Sequence, residues 1–317
     1  MMKRLAFAAA LGLSSLAMTA QAADYPQGTI DLVVPFDPGG SVDTTSRIIA
    51  ETANTLLDGA EITVVNRSGG GGVVGQTSVA KSAPDGYTVL AMTSSVVTNP
   101  QMKGAGYAVT DFRPVALYNL DPEVIAVPAA SPFQTAEEFM AAATKEPLNI
   151  VVAGVGTSHH MSGLAIERVS EATFNYIPTK GFGAQVQAVA GGHADGALWP
   201  LGEATAQAAN GGVRILAIAS EERDANFPDV PTFQEAGIDI PIWATFRGWA
   251  VPAGTSDEVV KTLSDLMKSV YETPAYVEKM QAAGYAPTFR DAEGFKFVVD
   301  SYADQTSVII EEAGLGK

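Results

Sequence analysis

The chain has 317 residues, with 19 basic against 35 acidic side chains, a formal charge of −16 and no cysteine. That balance offers no basic face to nucleic acid, and the missing thiols exclude disulfides, zinc–thiolate sites and thiol nucleophiles. The length favours two domains, with a core large enough to be stable without covalent staples.

"MMKRLAFAAALGLSSLAMTAQAADYP" opens the chain. Lys3 and Arg4 precede an apolar stretch from Leu5 to Leu16, and Ala20-Gln21-Ala22 offers a small-residue cleavage site. This pattern predicts a secretory signal peptide over 1–22, removed on export to the periplasm. The apolar stretch is too short for a spanning helix, which takes about 20 residues, and nothing later reaches that length. Removal of Lys3 and Arg4 leaves 17 basic against 35 acidic side chains, a net −18. An anionic ligand must therefore be held by local geometry against the field of the whole protein.

"IDLVVPF" (30–36) reads as a strand that runs through "DPGGSVD" into a helix from Val42 to about Leu57, with Ile48, Ile49, Ala53 and Leu56 on one face. "EITVVN" (61–66) leads through a glycine loop to a short helix near 74–82, and "YTVLAMTSS" (87–95) is a third strand ending in hydroxyls. "VIAVPA" (124–129), "LNIVVAGVG" (148–156), "FNYIP" (174–178), "GALWP" (196–200) and "VRILAIAS" (213–220) continue the series. Among the helices between them is "TAEEFMAAATK" (135–145), with Thr135 and Glu138 in capping-box spacing. The segment 256–284 reads as two helices split around Pro274, and 292–314 as a closing helix.

This alternation predicts parallel sheets flanked by helices. Ligands of such sheets bind beyond the carboxyl ends of the strands, at helix N-termini. Two units resemble one another: strand 30–36 with "DPGGSVD" and its helix, and strand 148–153 with "GVGTSHH" and a helix carrying Met161, Leu164, Ala165, Arg168 and Val169 on one side. Each can supply one wall of a cleft.

Gly70 to Gly75 match G-x-G-x-x-G, but the acid that would hold a ribose about 20 residues on is missing, and Asp85 comes too early, in a Pro-Asp-Gly turn. A tight turn packed on the sheet is expected there, and no nucleotide cofactor. The first loop lacks the Gly-Lys-Ser/Thr of a phosphate loop. Its Gly39, Gly40, Ser41 and Asp43 precede or open a helix whose free amides suit an oxyanion; an ordinary cap by Ser41 or Asp43 accounts for the same residues. His159 and His160 are adjacent, so on a helix they point about 100° apart and make a poor metal pair. Ser158 beside His159 is no catalytic dyad, because triad partners meet through the fold; helix capping by Thr157 or Ser158 suffices. His193 falls in a turn. Strand-end clusters at 93–95 and 179–183, and Asp195, again bring glycine and polar groups without a nucleophile and base. Binding without chemistry is expected. Micromolar affinity needs about 8 kcal/mol, and a helix terminus supplies about 0.3–2 kcal/mol. Charge-assisted hydrogen bonds, about 1.5–3 kcal/mol each, must make up the rest.

"VVPFDPGGSVDTTSRIIAE", "VVNRSGGGGVVGQTSVAKSAPDGYTVL", "GVGTSHHMSGLAIE" and "PTKGFGAQVQAVAGGHADGAL" follow in that order. Together they resemble the periplasmic solute receptors of tripartite tricarboxylate transporters, the TctC or Bug receptors, over essentially the whole mature chain. The resemblance implies an α/β fold of the type II periplasmic binding protein class, two doubly wound domains joined by two crossover strands. Domain 1 would cover 23–121 and 246–317 and domain 2 would cover 122–245, with hinges near "VALYNLDPEVIAV" and "IPIWATFRGWAV". Carried onto matching positions, the first wall is Phe36, Pro38, Gly39, Gly40, Ser41 and Asp43, with Ser94 or Ser95. The second is Gly156, Thr157, Ser158, His159, Gly181 and Asp195. Arg247 either grips a second carboxylate or pairs with a surface acid. Thr179 stands where the family often has an aromatic, so the distal pocket departs from the family's shape. The implied function is capture of a small organic acid by a monomer that needs neither cofactor nor metal and delivers its ligand to membrane permease subunits. A sensor partner that presents the acid to a membrane kinase, and an exported α/β enzyme, are the alternatives.

Overall fold

Runs of β-branched and other apolar residues set the strands. In the computed structural model, which describes residues 25–240 and 242–316, they alternate with helices throughout. The order is β1 (Thr29–Val34), α1 (Ser41–Ala53), β2 (Glu61–Asn66), a 3₁₀ turn (Gly70–Gly72), α2 (Val73–Ala80), β3 (Thr88–Thr93) and α3 (Ser95–Lys103). A second 3₁₀ turn (Val109–Asp111) leads to β4 (Phe112–Pro128), α4 (Ala136–Ala143), β5 (Leu148–Val152), α5 (Ser158–Val169), β6 (Phe174–Pro178) and α6 (Gly181–Ala190). The chain continues with β7 (Gly196–Pro200), α7 (Leu201–Ala209), β8 (Val213–Ile218), β9 (Ala244–Pro252), α8 (Asp257–Tyr271), α9 (Pro274–Ala282), β10 (Pro287–Arg290) and α10 (Ala292–Glu312). The expected signal peptide lies outside the described residues.

Two sheets share one strand. The first runs β2-β1-β3-β9-β4, with β10 also on β4; the second runs β8-β4-β7-β5-β6. β1 lies parallel to β2 and β3, and β5 parallel to β6 and β7. The parallel strands expected in each sheet are present, and β4 and β9, which run antiparallel to their neighbours, are added to them. β4 is 17 residues long. It pairs with β9 as far as Pro122 and with β7 from Glu123 onward, so "VIAVPA" is the far half of one crossing strand. The return crossing is tied to it where Glu123 N–H donates to Trp243 O at 2.8 Å. Both crossovers lie in the two segments expected to carry them.

Helices cover both faces of each sheet, which is why β1 and β3 bury nearly every side chain. One apolar cluster joins Ile30, Leu32 and Val34 to α1, α8 and α9. Another runs unbroken from Val33 and Leu90 of the first sheet to Ile150 and Val152 of the second, through Val96, Met161 and Phe295. A fully buried Val, Leu or Phe is worth about 1.5–3 kcal/mol, so this shared cluster binds the two sheets together.

Helix ends follow the sequence closely. Pro274 opens α9, where its missing N–H costs nothing. Thr135 Oγ1 accepts from Glu138 N–H at 3.2 Å; Glu138 Oε2 accepts from Gln134 N–H at 2.6 Å, one residue ahead of where a reciprocal capping box would put it. Helices α3, α6 and α7 have no counterpart in the sequence reading, since Pro100, Gly181 and Gly183 interrupt the patterns of the first two.

Candidate ligand cleft

The carboxyl ends of the parallel strands of both sheets point into one space, a cavity of about 370 Å³. Among the described helices, α1, α2, α3, α5, α6 and α7 turn their N-termini toward it. Phe36, Gly40, Ser41 and Ser95 stand on one side, with the glycine turn 69–72. Thr157, Ser158, His159, Gly181 and Glu203 stand on the other, and Thr245 and Arg247 of β9 close the floor.

Local chemistry shapes each wall. Gly39 has φ +87°, which lets the chain turn after Pro38 and bring Gly40 extended into α1. Gly39 N–H donates to Asp43 Oδ2 at 2.9 Å. Asp43 also accepts from Arg47 at 2.8 and 3.0 Å and from Asn66 Nδ2 at 3.0 Å. Burial works against its charge, but these donors outweigh it and hold the carboxyl below its usual range. Asp43 therefore braces the loop from behind. Across the cleft, Thr157 Oγ1 donates to Gly154 O at 2.7 Å and shapes the equivalent loop.

The two walls touch. Ser41 N–H donates to Glu203 Oε1 at 3.2 Å, Thr98 Oγ1 donates to Gly156 O, and a Cβ on Gly181 would sit 3.3 Å from Asp37 Oδ2.

Arg247 is 1% exposed. Its Nη1 donates to Asp121 Oδ2 at 2.9 Å and to Asn119 Oδ1, its Nη2 donates to Ser41 Oγ at 2.8 Å, and its Nε has no hydrogen-bond partner. The guanidinium lies 5.7 Å from the centre of the Tyr285 ring. Burial opposes its charge, yet Asp121, Tyr285 and Glu203 around it hold its pKa above the usual value. Beside it, Glu123 accepts from Thr245 Oγ1 at 2.5 Å; burial, against that hydrogen bond, pushes its carboxyl up to about 8.

Trp199 Nε1–H donates to Gln185 Oε1 at 3.0 Å, which fixes that atom as the amide oxygen. His159 Nδ1 lies 3.2 Å from the same oxygen and so carries the ring proton. Its Nε2 faces Glu203 Oε2 at 3.6 Å. Burial lowers the pKa of His159, against the pull of Glu203.

The structure gathers Phe36, Gly40, Ser41, Ser95, Thr157, Ser158, His159, Gly181 and Arg247 around one cavity. Several expected wall residues stand elsewhere. Asp195 is at the start of β7, about 16 Å of strand away from Pro200 at the cleft, and accepts from Asn149 N–H at 2.7 Å. Pro38 and Gly39 form the exposed outer turn of their loop. Ser94 lies beneath the floor, where its Oγ accepts from Phe246 N–H at 3.1 Å. Gly156 N–H donates to His160 Nδ1 at 3.3 Å, behind the wall. Arg247 is not in a surface pair, because its acid, Asp121, is as buried as it is. The glycine turn lines the cavity as well as packing on the sheet.

Sequence reading passed over Glu203, Gln185 and Thr245. Glu203 sits in the first turn of α7, directly after a strand end, at a junction without the glycine–hydroxyl pair that singled out Ser41 and Thr157. Among the described residues no group of three His, Asp or Glu side chains is placed to hold a metal, and no helix is long and apolar enough to cross a membrane.

A family model described as a tripartite tricarboxylate transporter family receptor matches residues 45–315. The UPF0065 protein in the gbd 5′ region of Cupriavidus necator is 32% identical over 324 residues, covering 98% of this chain and 94% of that protein. The structure of the periplasmic binding protein BugD superposes with a TM-score of 0.85 at 28% identity, over 92% of this chain and all of that one. MatC from Rhodopseudomonas palustris, solved with bound malate, gives 0.82 at 28% identity, over 90% of this chain and all of its own.

Proposed function

The chain belongs to the tripartite tricarboxylate transporter receptor family, and from that premise we propose that it captures a small organic carboxylate between its two walls and delivers it to membrane permease subunits. The observation that carries this reading is the convergence of α1, α2, α3, α5, α6 and α7 on one cavity floored by a buried arginine. Helix N-termini present amide protons and positive partial charge, which favour an oxyanion. Malate in MatC supports the same ligand class here.

Release without chemistry completes the reading. His159, an imidazole that lines the cavity, sets Nδ1 against Gln185 and turns Nε2 toward a carboxylate, so it is not paired with a hydroxyl nucleophile. Residues 23–121 with 246–317 form one lobe and 122–245 the other; the change of β4's partners at Pro122 and Glu123 supports that division. Export to the periplasm, with cleavage near Ala22, places the receptor where its relatives work.

A thermal-shift screen over organic acids tests the proposal. A ligand at 100 times its Kd adds about 2.7 kcal/mol, several degrees of Tm for a chain this long. The acid recovered afterwards should be unchanged by mass spectrometry. Ser41→Glu, which sets a second carboxylate beside Glu203 where the walls meet, should abolish the shift. A shift that survives it, or an altered acid, refutes the reading.

A further inference from the structure

Glu203 is out of place in a cleft that takes anions. It is 5% exposed and lines the cavity, and its Oε1 already occupies the amide of Ser41 at the start of α1. Its Oε2 has no hydrogen-bond partner. His159 Nε2 faces it at 3.6 Å, and His159 carries its proton on the far nitrogen. Two acceptors therefore face one another across a gap with no donor between them. The nearby cation does not resolve this, because Arg247 spends its Nη groups on Asp121, Asn119 and Ser41.

A buried acceptor without a donor costs about 1–3 kcal/mol, more when charged. A ligand that supplies the missing donors recovers that cost on binding. A simple dicarboxylate could meet the unpartnered Nε–H of Arg247, but it brings Glu203 only more acceptors and more negative charge.

Resting on the receptor reading above, we propose that the ligand is zwitterionic, an amino acid in the broad sense: its ammonium sits between Glu203 Oε2 and His159 Nε2, and its carboxylate faces the N-terminus of α5. An ammonium has three donors, enough for both acceptors and one further group. Glu203, which belongs to the second wall but fills the helix end of the first, reads the amine together with His159. The second wall, where Thr157 at the N-cap turns its hydroxyl away to Gly154, takes the ligand's carboxylate. Glu203 is in this view the residue that separates amino acids from plain acids.

Calorimetric titration of matched pairs tests this: aspartate against succinate, glutamate against glutarate, 2-aminoadipate against adipate and alanine against propionate. In the full mature chain, at least one amine-bearing member should bind ten-fold or more tightly than its amine-free twin. Glu203→Gln, close to isosteric and still able to accept from Ser41 N–H, should erase that ratio. Tighter binding of the amine-free members by the unaltered chain overturns the proposal and leaves the carboxylate receptor standing. Failure of every acid in both series overturns both. An amine preference that survives Glu203→Gln places the ammonium elsewhere and also overturns the proposal.

Discussion

In the first sheet, β1 passes through residues 35–40 into α1; in the second, β5 passes through 153–157 into α5. The two units have the same order and the same place beside a parallel neighbour on each flank. They end differently. The amide of Ser41 is taken by Glu203 from across the cleft, whereas the loop before α5 is held by its own Thr157. A repeated backbone thus yields one helix end already satisfied by a carboxylate and one left for a foreign group. Likeness of fold set the shape of the walls; single side chains decided how each helix end is satisfied.

Removing Arg247 should break that difference most completely. Its guanidinium ties Ser41 of the first wall to Asp121 of the floor. Arg247→Met leaves Asp121 buried without its cation, a loss of about 3–5 kcal/mol, and should abolish ligand binding as well. Urea denaturation reads the first effect and calorimetry the second. Adding Asp121→Asn should return part of the stability and none of the binding.

Glu123 gives the next largest effect, and it depends on pH. Burial raises its pKa from 4.5 to about 8. The folded chain then keeps a proton that the unfolded chain loses, so the stabilisation is complete below about pH 4.5 and declines until about pH 8. Glu123→Gln cannot titrate. It should match the parent near pH 4.5 and exceed it by roughly 3–5 kcal/mol above pH 8, measured as the difference between denaturation midpoints across that range. Equal slopes in parent and variant would mean that Glu123 is ionised in the fold.

Much of this was legible in the chain. Apolar runs located the parallel strands of both sheets to within about three residues at either end, and the glycine–hydroxyl junctions located Ser41, Thr157 and Ser158. The near half of β4 was legible only through the family resemblance, because Asn119, Asp121 and Glu123 interrupt its apolar pattern. Those residues are polar because they lie under the cleft, where Arg247 and Thr245 satisfy them. Arg247 read as a possible surface charge for the same reason: its partner is 126 positions away in sequence. Glu203 was hidden by an ordinary preference, since an acid in the first turn of a helix complements the dipole without facing anything. Periodicity reports burial along one element; it is silent on polar groups that are buried only because another element answers them.

The smallest effect separates the two walls most sharply. Thr157→Val keeps the shape of the side chain and deletes the hydroxyl that donates to Gly154 O at 2.7 Å. The loss in stability should be about 1 kcal/mol, or about 2–4 °C in Tm for a chain of this size. Its consequence for binding is the informative part. Glu203 and His159 keep their positions in this variant, so any discrimination by that pair should persist. The loop that presents α5 to a carboxylate is loosened, so every acid should weaken by the same factor whether or not it carries an amine. Glu203→Gln is expected to do the reverse, altering the ratio between twins and sparing the carboxylate they share. If Thr157→Val changed that ratio instead, the groups that hold the amine and the helix end that holds the carboxylate would not be independent.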